Sequence, residues 1–144
     1  MILSKEIPVY MNLASCKLKQ YTASVLKKSN TGLTPEQFLL MDILWNQGKM
    51  SQQKLADNMH KDKNSITKLV DALETKGLIM RQRDADDRRS NIVVPTPKGE
   101  AMKEETKEKA INMMDAILDG ISEEELRSFL DTLSKLSKNM DAKF

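Results

Sequence analysis

The 144-residue chain contains one cysteine, one histidine and one tryptophan. A single thiol excludes an intrachain disulfide, and the ten methionines beside it suit a reducing cytoplasm. One histidine and one cysteine leave neither a nucleophile–base pair nor a cluster of metal ligands, and none of the five glycines belongs to a phosphate-cradling loop. The sequence therefore predicts no enzyme, no metal and no cofactor. No apolar run approaches the roughly 20 residues of a membrane span, and the N-terminal stretch lacks a signal-peptide core between its charges. A cytoplasmic protein without a membrane partner is the expectation.

What is present describes one globular domain with a moderate core, 40% hydrophobic and 31% charged. The net charge of +2 conceals a gradient. Residues 1–46 carry five basic and three acidic side chains, residues 47–99 eleven and seven, and residues 100–144 seven and eleven. The middle of the chain is thus its basic part, as contact with phosphates requires.

That middle part reads as helix, turn, helix and hairpin. Ser51 is placed to cap a short helix whose apolar face is Leu55, Ala56 and Met59. His60, Lys61 and Asp62 make a turn, with Asp62 capping a second helix over residues 62–76. In that helix Ile66, Leu69, Val70 and Leu73 follow the i, i+3, i+4, i+7 rule of a buried face. Gly77 then stands at the C′ position of a Schellman ending, followed by the apolar Leu78. The opposite face of the second helix presents Lys63, Asn64, Ser65, Thr67 and Lys68 near its start. These side chains suit a helix laid in a DNA major groove. Asparagine can bond an adenine edge, lysine reaches guanine or phosphate, and serine and threonine adapt to either. A solvated helix face would have the same composition.

Two strand-like runs follow, 78–83 and 90–94, around the charged tip Asp84-Ala85-Asp86-Asp87-Arg88-Arg89. Here the chain resembles the winged helix-turn-helix regulators of the multiple-antibiotic-resistance (MarR) family. The resemblance rests on the Leu73…Lys76-Gly77-Leu78-Ile79…Arg81 helix exit, the Arg83-Asp84…Asp87-Arg88-Arg89-Ser90 wing, and Thr96-Pro97-Lys98-Gly99 at the next helix start. It implies a mainly α fold with a small β-wing, in which residues 33–99 form the DNA-binding part of a single domain. Residues 1–28 and 100–144 would supply dimerisation helices. It also implies that one wing arginine reaches a minor groove, Arg88 being favoured over Arg89, while Asp84 or Asp87 braces the other. The function implied is a homodimeric regulator, a repressor by preference, of a pseudo-palindromic double-stranded operator. A winged-helix interaction module without DNA binding is the alternative.

Both ends of the chain fit that picture. Ile7, Met11, Ala14, Leu18, Tyr21 and Val25 make a heptad seam, with Pro8 marking or kinking the helix start. Thr34-Pro35-Glu36-Gln37 reads as a capping box opening a strongly apolar helix that Gly48 ends. Lys49 and Met50 are placed for a short third strand. A long helix is predicted from Pro97, polar all round through Lys109 and apolar from Ala110 until Gly120. Ser122-Glu123-Glu124-Glu125 opens a last helix carrying Leu126, Phe129, Leu130, Leu133, Leu136 and Met140 on one side.

Three residues invite further roles under the resemblance. Trp45 and His60 are candidates to line a cleft where relatives bind small aromatic acids or phenols, against the plainer readings of a core indole and a turn histidine. Some relatives sense peroxides through a thiol in the first helix. Cys16 lies off the heptad seam beside Lys17, but its spacing to Thr34-Pro35 is shorter than in those sensors, which favours an incidental thiol.

Overall fold

The computed structural model describes residues 2–87 and 90–143, and the chain divides into two compact units, 1–110 and 111–144. The first unit contains α1 (Ile2–Lys28), α2 (Pro35–Gln47), β1 (Met50–Ser51), α3 (Gln52–Met59), α4 (Lys63–Thr75), β2 (Ile79–Arg83), β3 (Asn91–Pro95) and α5 (Pro97–Ala101). It also takes the first half of α6 (Lys103–Ile117), whose second half joins α7 (Glu123–Lys143) in the other unit. Among the described residues no helix is long and apolar enough to cross a membrane.

The local signals act where the chain places them. Thr34 Oγ1 accepts from Gln37 N at 3.2 Å while Gln37 Oε1 accepts from Thr34 N at 3.2 Å, a complete capping box with Pro35 at the first turn. Ser51 Oγ accepts from Lys54 N, and Asp62 Oδ1 from Ser65 N at 2.8 Å. Each such cap is worth about 1 kcal/mol. At the end of α4, Leu78 N donates to Leu73 O and Gly77 N to Glu74 O, with Gly77 at φ 77°. That is the Schellman pattern, and it turns the chain directly into β2.

The core of the first unit sits where α2, α3, α4 and the sheet meet. Leu40, Met41, Leu55, Ile66, Val70, Leu73 and Val93 are wholly buried, and Trp45 is nearly so. Each such side chain contributes about 1.5–3 kcal/mol of transfer free energy. The sheet has three strands in the order β1-β3-β2, all antiparallel. The wing hairpin runs from Ile79 opposite Pro95 to Arg83 opposite Asn91. Met50 pairs with Val93 and Ser51 with Ile92, so the third strand lies one residue later than the sequence suggests.

Three expectations need correction. Pro8 does not mark the start of α1, which begins at Ile2 and runs through it. Near a helix start proline forfeits a single i→i−4 bond, and the long helix that follows outlasts that loss. The long helix expected from Pro97 is broken at Met102. The Gly99 carbonyl accepts from Trp45 Nε1 at 3.2 Å and from Met102 N at 3.3 Å, so it is drawn away from the i+4 amide. Finally, the start of α6 is not solvated all round. Thr106 is buried, Lys109 Nζ donates to Ser29 O at 2.9 Å, and Lys107 Nζ bonds Asn46 Oδ1. Its polar side chains meet the polar ends of α1 and α2. Glu105 and Lys109 form an i,i+4 ion pair at 2.9 Å.

In the second unit α7 opens with the expected capping box, Glu125 N donating to Ser122 Oγ at 3.1 Å. Phe129 and Leu130 stand more than 60% exposed, and Met140 half exposed. On α1 the apolar side chains Ile7, Met11 and Leu18 are likewise exposed, together with Ile2, Val9, Tyr10 and Leu13.

Candidate nucleic-acid interface

Burial of Ile66, Val70 and Leu73 fixes the roll of α4 about its axis. With that face inside, Lys63, Asn64, Ser65 and Lys68 are exposed and Thr67 is half-buried. The N-cap Asp62 carboxylate occupies the amide end of α4, and beyond it the first turn holds no acidic residue while Lys63 and Lys68 face outward. The five side chains then separate into two groups. The side chains of Lys63, Asn64 and Lys68 make no hydrogen bond or ion pair among the described residues. Ser65 is engaged with the cap: bonds from its hydroxyl and its amide hold the Asp62 carboxyl below its ordinary value of 3.8.

Thr67 belongs to a network that sequence reading overlooked. Its hydroxyl donates to Lys63 O at 2.9 Å and accepts from Gln52 Nε2 at 2.9 Å. Gln52 Oε1 accepts from Arg81 Nε at 3.3 Å. Arg81 in turn grips α4, with Nη2 2.6 Å from Asp71 Oδ1 and Nη1 2.9 Å from Glu74 Oε1. A signal for this existed. Period-two alternation along β2 places Arg81 on the same side as the buried Ile79, beside two acids spaced i, i+3 on the helix. Arginine serves here because its planar fork meets two carboxylates at once.

The wing tip is closed by its own polar groups. Asp84 N donates to Ser90 O at 3.1 Å, and Asp84 Oδ1 accepts from Asp86 N at 3.0 Å. Asp87 Oδ2 accepts from Ser90 Oγ at 3.2 Å. Arg88 and Arg89, the expected groove arginines, lie outside the described residues. A cleft of about 310 Å³ runs between the tip end of the wing hairpin at Ser90 and Asn91 and the helix starts at Gln53 and Lys63.

The remaining candidates are scattered. Trp45 is 5% exposed in the core with its N–H on Gly99 O. His60 is an exposed residue in the left-handed conformation (φ 52°) that ends α3. Cys16 is exposed on α1. Lys61, in the same turn as His60, reaches Glu36 on α2 at 2.8 Å.

That last pair predicts a pH dependence. The hydrogen bond from Lys61 holds the Glu36 carboxyl below its ordinary value of 4.5, outweighing the opposing effect of burial. A lowered native value means the stabilisation is complete above pH 4.5 and is lost as pH falls through the depressed value. Glu36→Gln should therefore narrow the stability gap between pH 6 and pH 3 in denaturant titrations, with most of its effect at pH 6. An unchanged gap would show that the pair contributes nothing.

Comparison with known proteins places this geometry. The MarR family model matches residues 33–91, from the end of the first loop through the start of β3. The organic hydroperoxide resistance transcriptional regulator of Bacillus subtilis is 31% identical over 121 residues, covering 80% of this chain and 77% of its own. A MarR family protein from Bacillus stearothermophilus is 30% identical with a TM-score of 0.72, over 96% of this chain and 95% of that one. Over-oxidised AbfR bound to DNA shares the fold, with a TM-score of 0.78 at 21% identity, over 97% and 96% of the two chains.

Proposed function

The chain belongs to the MarR family of transcriptional regulators, and from that premise we propose that it is a cytoplasmic homodimeric repressor of a pseudo-palindromic DNA operator. The observation that carries the reading is the exposed start of α4, where Lys63, Asn64 and Lys68 stand uncommitted beyond the Asp62 cap. In this reading α4 enters the major groove, Asn64 and Lys68 bond base edges, and Lys63 meets a phosphate. One of Arg88 and Arg89 enters the neighbouring minor groove, where a narrow A·T-rich segment offers the most negative potential. AbfR, solved on DNA, supplies the precedent for the partner.

Dimerisation is supported by the exposed apolar side chains of α1 and α7, which a second copy would cover. A small aromatic or phenolic effector would relieve repression by favouring a dimer whose reading helices no longer match the half-site spacing. An interaction module without DNA binding would leave the cationic start of α4 without a role.

Selection of bound sequences from random duplex DNA, at a stated salt concentration, tests the proposal. The expected product is a two-fold symmetric motif with half-sites about 34–36 Å apart, bound more weakly as salt rises. No enrichment by a protein that light scattering shows to be a folded dimer would refute it.

A further inference from the structure

The polarity of the Arg81–Gln52–Thr67 network is fixed from one end. A guanidinium only donates hydrogen bonds, so the Gln52 side chain must turn its oxygen toward Arg81 Nε, 3.3 Å away. Its amide nitrogen then faces Thr67 Oγ1 at 2.9 Å and must donate to it. The single Thr67 proton is left for Lys63 O, also at 2.9 Å. Arg81 is itself held in place by Asp71 and Glu74 and by a further bond from its Nη2 to Thr67 O at 3.5 Å. Thus the hydroxyl has spent its donor and one of two lone pairs inside the protein, which agrees with its half-buried state.

We infer that Gln52 and Arg81 are positioning residues that hold the Thr67 hydroxyl turned into the protein, so that Thr67 meets the operator with its methyl group and selects a thymine there. This rests on the role proposed above for α4. The chemistry follows from what the network leaves over. With its proton committed, Thr67 cannot donate to the guanine or thymine acceptors of the major groove. What remains is one lone pair, on an oxygen drawn toward Lys63 O and Gln52 Nε2, and the methyl, whose apolar counterpart on a base edge is the 5-methyl of thymine. Arg81 and Gln52 would touch no base, yet they would set preference at one position of each half-site.

The test uses the full-length protein and the operator selected from random duplexes. Replacing thymine by deoxyuridine at the position facing Thr67 should weaken binding by the native protein roughly threefold to tenfold, the worth of about one methyl group removed from water. Thr67→Val, which keeps the methyl and loses the hydroxyl, should retain the thymine preference. Thr67→Ser, which does the reverse, should lose it. Arg81→Lys keeps the charge but not the fork, and should relax preference at this position while leaving the other positions unchanged. If serine retains the preference and valine loses it, the hydroxyl reads the base and the inference is wrong. If neither variant nor deoxyuridine alters any position, Thr67 does not face the operator, and the inference fails while the DNA-reading role stands. If Arg81→Lys leaves the profile untouched, the network does not position Thr67. Absence of any selected motif with the native protein would overturn the DNA-reading role and this inference together. The deoxyuridine comparison needs no variant, so it remains decisive even where a substitution disturbs folding.

Discussion

Replacing Gly99 by alanine is expected to destabilise the first unit by about 3 kcal/mol or more, at or beyond the upper end of ordinary overpacking costs. The added methyl would stand 2.2 Å from the Leu78 carbonyl oxygen, 3.1 Å from its carbon and 3.2 Å from Met41 Cε. The methionine can swing aside, but the carbonyl cannot. Leu78 O accepts from Thr96 N at 3.0 Å, and Leu78 N is tied to Leu73 O by the Schellman ending of α4. On the other side the Gly99 carbonyl holds the buried Trp45 N–H, and Gly99 N donates to the Thr96 cap. Either backbone must move and break at least one of these bonds. The effect is therefore a matter of close approach, since the φ of Gly99 is one that any residue adopts. In thermal unfolding the midpoint should fall by roughly 6–12 °C. A change within about 0.5 kcal/mol, the range of an ordinary surface substitution, would mean that the two backbones are further apart than they stand here.

The second large effect is on recognition rather than stability. Asn64→Ala combined with Lys68→Ala should weaken binding to the selected operator about 100-fold or more, each base-reading contact being worth about 1–3 kcal/mol. Both side chains are exposed and lack partners among the described residues, so the unfolding midpoint should barely change. Losing Lys63 should differ in kind. Removing a base-reading side chain such as Asn64 or Lys68 flattens preference at its own position. Lys63→Ala, which removes the lysine that meets phosphate, should weaken all sequences alike and lower the salt slope by about one. Fluorescence anisotropy titrations at two or three salt concentrations separate these cases. Unchanged specific binding by the double variant would exclude α4 as the reader, and the inference about Thr67 would fall with it.

The sequence by itself determined most of the elements and the helix ends that carry their own caps. Caps at Thr34, Ser51, Asp62, Thr96 and Ser122 each act within three residues of their own position, so the bonds they make are written locally. The spacing of Ile66, Val70 and Leu73 fixed which side of α4 faces outward, and with it the candidate readers. The wing was recognisable from two short strands around a charged tip. What only the tertiary structure decided were contacts between residues far apart in the chain. Arg81 meets Asp71 and Glu74 because the Schellman turn folds β2 back along α4, and Gln52 joins them from another helix altogether. Thr67, which the helix periodicity grouped with Lys63, Asn64 and Lys68, was separated from them by that network. The break at Met102 had the same origin, since the carbonyl that a straight helix would have used is held by an indole 54 residues earlier in the chain. Periodicity reports which face a residue occupies. Whether its polar atoms remain available depends on what the fold brings within 3 Å of them.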